Sequence, residues 1–164
     1  MDIPKVLVIG HEYSGKTSII KRLMGFANIS NILNIHYIPT IGVEASPVFI
    51  QNNAYCLWDV AGRDNFSVLT DFYYENTQKV LIVCDATNGA SFDKADKLIT
   101  DLCANPAYSN LTKIIVINKT ESELEYLCDI HKLNEFLSKY VHLQFLKVSA
   151  KTGDGIEALK NTIA

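Results

Sequence analysis

The run Gly10-His11-Glu12-Tyr13-Ser14-Gly15-Lys16-Thr17 places two glycines, a lysine and a threonine at the spacing G-x-x-x-x-G-K-S/T. The chemistry of that spacing is phosphate binding. Successive backbone N–H groups turn inward toward phosphate oxygens, with the positive end of a following helix behind them. The Lys16 ammonium then reaches β- and γ-phosphates, and the Thr17 hydroxyl ligates magnesium. The run therefore predicts a bound nucleoside polyphosphate, and Glu12, Tyr13, Ser14, Gly15 and Ser18 come with it as residues of the loop and the first helical turn. Two later positions suit the same ligand. Thr40, on the stiff tether set by Pro39, offers a second hydroxyl to the metal and its N–H to the terminal phosphate. Asp59 ends an apolar strand, where a carboxylate faces the ligand crevice and holds magnesium through water. Gly62, three residues on, offers an N–H to a γ-phosphate and lets its loop swing when that phosphate leaves. The plain alternatives are an edge-strand threonine and a turn aspartate.

These residues need particular elements beneath them. Val6-Leu7-Val8-Ile9 reads as a buried parallel strand and Ser18 to Leu23 as the start of a helix, the strand-turn-helix context that the phosphate loop requires. Further along, strands and helices alternate, which predicts an α/β fold with a parallel sheet covered on both faces. Six strands are expected near 5–10, 46–51, 54–59, 79–85, 113–118 and 143–148, and five flanking helices near 16–25, 66–76, 91–104, 122–140 and 154–163. Gln51-Asn52-Asn53 reads as a hairpin turn, so one edge strand should run antiparallel. The 25–42 connection is long enough to be functional in its own right.

The 164 residues fit one domain, 1–164. With 48% hydrophobic and 20% charged residues and a net charge of −3, the composition is that of a soluble globular protein without a basic field for nucleic acid. Cys56, Cys84, Cys103 and Cys128 show no metal-ligand spacing and are expected as reduced core thiols of a cytosolic protein. His11, His36, His131 and His142 likewise show no ligand spacing. No signal peptide, membrane span or lipidation box is visible, so no intrinsic membrane anchor is expected in this sequence.

Gly10 to Thr17, Pro39-Thr40-Ile41-Gly42 and Trp58-Asp59-Val60-Ala61-Gly62 stand in the order found in the Ras superfamily of small GTPases. Ile114 to Asn118, followed by Lys119-Thr120-Glu121, resembles that family's strand ending in NKxD, and Ser149-Ala150-Lys151 resembles its SAK loop. Ile38 to Gly42, Trp58-Asp59-Val60 and Tyr73 to Gln78 look most like the Arf branch, while Ser149-Ala150-Lys151 and Gly42-Val43-Glu44 look more like Rab. The resemblance implies a P-loop NTPase G domain that binds GTP and GDP with Mg2+ and acts as a molecular switch in membrane, vesicle or ciliary trafficking. Its partners would be an exchange factor, an activating protein and effectors reading the 30–45 and 60–76 surfaces. A monomer or a subunit of a larger complex is implied, cytoplasmic or peripheral to membranes through partners.

By the same resemblance, Asn118 binds guanine N7 and its own loop, Lys119 lays its stem over the base, and the Ala150 N–H meets O6. Glu121 accepts from N1–H and N2–H2. Three departures stand out. Glu121 is one methylene longer than the family's Asp, which predicts guanine preference with weaker affinity. Arg63 replaces the glutamine that orients the attacking water; a guanidinium has only donors, so very slow hydrolysis is expected, with stabilisation of transition-state charge by Arg63 as the alternative. Glu12 should repel a γ-phosphate unless a donor such as Arg63 bridges it. Where relatives stack an aromatic on guanine, this chain aligns Leu33 or a neighbour, and Tyr37 and Phe26 are the aromatics that could substitute. The rival to a switch is a hydrolysis-deficient subunit that uses the nucleotide as a structural ligand.

Overall fold

The computed structural model describes residues 3–27, 40–62, 70–122 and 130–164. Arg63, Phe66, Leu33, His36, Tyr37, Pro39 and Cys128 therefore lie outside the described residues, as does the first part of the helix expected over 122–140.

Six strands form one sheet: β1 Lys5–Gly10, β2 Val43–Ile50, β3 Asn53–Val60, β4 Thr77–Asp85, β5 Thr112–Asn118 and β6 Gln144–Lys147. Their order across the sheet is β2-β3-β1-β4-β5-β6. Only β2 runs against its neighbour, pairing antiparallel with β3, and the other pairings are parallel. The described α-helices are α1 Lys16–Leu23, α2 Thr70–Tyr74, α3 Gly89–Ala104, α4 Ile130–Lys139 and α5 Ile156–Ile163. The expected fold class is the one observed, a mostly parallel six-stranded sheet with an antiparallel edge and five helices.

Alternation along the strands divides the core into two layers. Val6 and Val8, Leu81 and Val83, and Ile114 and Val116 face α1 and α5, where they meet Ile19, Ile20, Leu23, Ile156, Leu159 and Ile163. Leu7 and Ile9, Val80 and Ile82, and Ile115 and Ile117 face the opposite way, onto Phe92, Ala95 and Ile99 of α3 and Leu133 and Phe136 of α4. Both faces of the central strands are thus apolar, each buried Leu, Ile or Val contributing about 1.5–3 kcal/mol, and polar chemistry is left to the strand ends.

Element boundaries differ from the expected ones for local reasons. Gln51 and Asn52 both take left-handed backbone, φ 49° and 65°, making a two-residue hairpin turn that leaves Asn53 to β3. Pro47 sits on the outer strand, where its missing N–H costs no ladder bond. Asn88 caps α3 by accepting from Ala90 N at 3.0 Å, so that helix begins before residue 91. Gly155, left-handed at φ 74°, starts α5 two residues later than expected. Asn76, at φ 57°, turns the chain from α2 into β4.

The described cysteines are not all the core thiols expected of them. Cys84 is a buried core thiol, but Cys56 is half-buried and Cys103 is exposed on α3, because its position falls on the solvent side of that amphipathic helix. Phe72 is exposed, whereas Tyr73 is half-buried and Tyr74 packs into the α3 layer beside Tyr108. Trp58 lies 6.3 Å from the Phe72 ring, with Lys5 Nζ 3.8 Å from its centroid. Among the described residues no helix is long and apolar enough to cross a membrane.

β1 ends on Gly10, whose φ of 147° and tight packing leave no room for a side chain: a Cβ there would stand 2.2 Å from the Val83 carbonyl oxygen of β4. Gly10→Ala is expected to lower stability by about 2–4 kcal/mol, read as a lower urea midpoint at unchanged slope. An unchanged midpoint would show that β1 and β4 separate at little cost.

Candidate functional site

The chain leaves β1 to build β2 and β3 on one side and then crosses to β4 on the other. A crevice opens beside β1 at the carboxyl ends of the strands, where parallel sheets place ligands. Gly10, Asp59, Asp85 and Asn118 all lie at or next to these ends. The crevice holds a cavity of about 370 Å³, and each of its lining residues belongs to the expected set: Glu12, Tyr13, Gly15, Lys16, Thr17 and Ser18, then Thr40, Gly62, Asn118, Lys119, Glu121, Ala150 and Lys151. Ser14, Asp59 and Ser149 are buried behind this lining. Arg63 is outside the described residues.

The phosphate loop is shaped by backbone that most residues avoid. Tyr13, at φ 61°, and Gly15, at φ 91°, are both left-handed, an unusual state for an aromatic residue. Lys16 opens α1 and folds back over the loop, donating to the carbonyls of Gly10 at 3.2 Å and His11 at 2.8 Å. Burial lowers its pKa to about 8, against the opposing pull of the Asp59 and Glu12 carboxylates. Gly62 lies against the same loop, so closely that a Cβ would stand 2.4 Å from the Glu12 nitrogen. That contact seats the loop after β3 on the phosphate loop.

Three oxygen-bearing side chains meet at the Thr17 end. Thr17 Oγ1 donates to Asp59 Oδ2, Thr40 Oγ1 lies 3.4 Å from the same oxygen, and the two hydroxyls are 3.3 Å apart. Asp59 Oδ1 is buried without a hydrogen-bond partner. Burial raises the Asp59 pKa, opposed by the Thr17 hydrogen bond and the Lys16 charge. Two hydroxyls and one carboxylate with an open oxygen form a hard donor set of the kind magnesium takes, with its remaining positions left to water and phosphate. Among the described residues no group of three or more His, Cys, Asp and Glu comes together, so softer metals have no comparable site.

At the other end, Asn118 is fully buried. Its Nδ2 donates to the Ser14 carbonyl at 2.9 Å, and its Oδ1 accepts from Ala150 N at 3.0 Å. The Ala150 N–H that the resemblance gives to guanine O6 is therefore engaged within the protein. Lys119, left-handed at φ 66°, sends its ammonium to Asp85 Oδ2 at 2.5 Å. Glu121 lines the cavity and has a buried Oε2 with no hydrogen-bond partner. Ser149 closes its loop by accepting from Gly153 N at 2.8 Å and, through Oγ, from Thr152 N at 3.0 Å. Phe26 is exposed and is not among the residues that line the cavity.

Two further residues hold the cavity's walls without any motif of their own. Asp85 anchors Lys119 and also accepts from the Thr87 N–H and hydroxyl, at 2.9 and 2.7 Å. It carries the same signal as Asp59, an acid ending an apolar strand. Arg22 on α1 donates to the Ala150 and Lys151 carbonyls, a pairing across nearly the whole chain that no local pattern announces.

Residues 5–164 match the Ras family. Among curated proteins, the chain is 31% identical to Ras-related protein Rab-1 of Theileria parva over 168 residues, covering 98% of this chain and 72% of that protein. It is 33% identical to Ras-related protein Rab-32C of Dictyostelium discoideum over 166 residues, covering 97% and 71%. Ras-related protein Rab-18 of Lymnaea stagnalis is 29% identical over 157 residues, covering 93% and 74%. The Arf likeness of the short motifs is not supported by these relatives, which are Rab proteins. Motifs at a shared ligand are constrained by one chemistry, whereas identity over the whole chain weighs every packed position. With cavity, loops and whole-chain similarity in agreement, this chain belongs to the Ras family of small GTPases.

Proposed function

We propose that the chain is a guanine-nucleotide switch: one G domain, 1–164, that binds GTP and GDP with Mg2+ and hydrolyses GTP slowly. The observation that carries this reading is the pair of buried carboxylate oxygens without partners, Asp59 Oδ1 near the two threonine hydroxyls and Glu121 Oε2 on the Asn118 side of the cavity. Each is costly when left alone. A cation at the first and a double N–H donor at the second remove both costs, and among the purines guanine presents such a donor pair through N1–H and N2–H2.

Thr17 and Thr40 would hold the metal directly and Asp59 through water. Bound nucleotide and Mg2+ would supply a charge-neutralised phosphoanhydride open to attack by water. Lys16, with the backbone amides from Tyr13 to Ser18 and that of Gly62, would stabilise charge developing on the transferred phosphoryl oxygens. Arg63 has no acceptor for the attacking water, which is the basis for slow turnover. Ser149, Ala150 and Lys151 would close the base end, with the Lys119 stem against the purine. The Rab relatives support a place in membrane or vesicle trafficking, in the cytoplasm or at membranes through protein partners that read the 30–45 and 60–76 surfaces.

Arg63 and Glu12 also favour a second reading, a nucleotide-stabilised subunit that does not turn over GTP. Single-turnover hydrolysis separates the two, and Arg63→Gln is expected to raise the rate about tenfold or more, the equivalent of one restored hydrogen bond. No hydrolysis by either form would favour the second reading. For base identity, mass determination should find GDP or GTP with the purified protein, and titration should favour GDP over ADP by at least about a hundredfold. Equal binding would overturn the guanine assignment.

Lys16 gives the site a pH dependence. Without ligand its pKa is lowered to about 8, and a polyphosphate beside it favours the charged form, so binding above that pH takes up a proton. Affinity should fall as pH rises from about 8 toward about 10, near the ordinary lysine value. Calorimetry in two buffers of different ionisation heat should register the uptake. Affinity constant across that range would show Lys16 already charged in the free protein.

A further inference from the structure

We infer that Arg22 is the positioning residue that fixes the base end of the cavity relative to the polyphosphate end. The inference rests on the nucleotide reading above. α1 begins with Lys16, Thr17 and Ser18, which line the cavity, and Arg22 follows Lys16 by six residues, roughly 9 Å along the helix axis. Among the described residues its guanidinium donates to main-chain carbonyls. Nε reaches Ala150 O at 2.6 Å, Nη2 reaches Lys151 O at 2.5 Å, and Nη1 reaches Ala27 O and, at 3.4 Å, Phe26 O. No carboxylate among the described residues forms an ion pair with it.

That choice of partners is informative. A guanidinium holds its five N–H groups in a rigid plane, so one side chain that satisfies carbonyls on two separate segments sets the angle and distance between them. One segment is the 149–151 loop. Ala150 is gripped on both sides, its N–H by Asn118 Oδ1 and its carbonyl by Arg22 Nε. The other segment, Phe26 and Ala27, is the chain leaving α1. Because the guanidinium stands on the same helix as Lys16 and Thr17, the loop at the base end cannot shift relative to the phosphate loop without breaking charge-assisted hydrogen bonds. Lysine keeps the charge but gathers its donors at one point, so it cannot reproduce the span.

The test compares wild type, Arg22→Lys and Arg22→Gln, each checked for fold by circular dichroism and melting temperature. Two ligands are measured: GDP, which engages both ends of the cavity, and inorganic tripolyphosphate, which engages one. Arg22→Gln should weaken GDP at least about tenfold, and Arg22→Lys should lose less, while tripolyphosphate binding changes less than about twofold in both. A GDP affinity unchanged in the folded variants would overturn the inference. So would equal weakening of both ligands, which marks general destabilisation. If the Gln variant does not fold, the Lys variant alone decides by the ratio of the two affinities. Failure of wild type to bind GDP would instead strike the nucleotide reading, which keeps the two failures distinct.

Discussion

Asn118 lies at the end of β5 with its amide buried, and both polar atoms are committed to main chain more than thirty residues away, Ser14 on one side and Ala150 on the other. The phosphate loop and the loop after β6 are therefore both bonded to one buried side chain. Gly15 belongs to the same constraint, because a Cβ there would stand 2.2 Å from Asn118 Nδ2. Removing the amide would strand a carbonyl and an N–H in a buried setting, about 1–3 kcal/mol for each group left unpaired. Asn118 holds these two loops from the buried side, and Arg22 holds the second of them from α1.

The sheet explains why polar groups collect at this edge. Strand interiors are apolar on both faces, so a carboxylate finds room only where a strand stops, and Asp59, Asp85 and Asn118 each end or nearly end one. Each meets a different solution to burial. Asp85 takes the Lys119 ammonium, Asn118 takes backbone, and Asp59 takes one hydroxyl-bonded oxygen while its other remains open. The unequal outcome sets Asp59 apart, since buried polar oxygens are as a rule hydrogen-bonded.

Much of this was legible in the residues themselves. The strand-loop-helix at 5–23 is written in local terms, an apolar β-branched run, two glycines and a helix-forming stretch, and local terms suffice for it. Asn118 was legible through the likeness of its segment to the family's NKxD motif, and Asp59 because it closes an apolar strand. Asp85 closes one too and was passed over, since its role is to hold Lys119, and a partner for an ammonium is defined only once β4 and β5 lie side by side with Asp85 opposite Asn118. Arg22 was invisible for the same reason at greater range. Cys103 was misjudged because composition says that cysteines bury, while the turn-by-turn geometry of α3 decides which side faces water. The branch within the family was obscured where few residues carry most of the resemblance.

The sole tryptophan of the chain, Trp58, sits on β3 one residue before Asp59, with the Lys5 ammonium over its ring and Phe72 of α2 against it. An indole emits according to the charge and polarity around it, and here both neighbours come from different elements. A displacement of α2 relative to the sheet alters that surrounding without touching any other tryptophan. Trp58 is thus a built-in optical gauge of the position of α2 against the sheet, free of extrinsic dye and of background from a second emitter of the same kind.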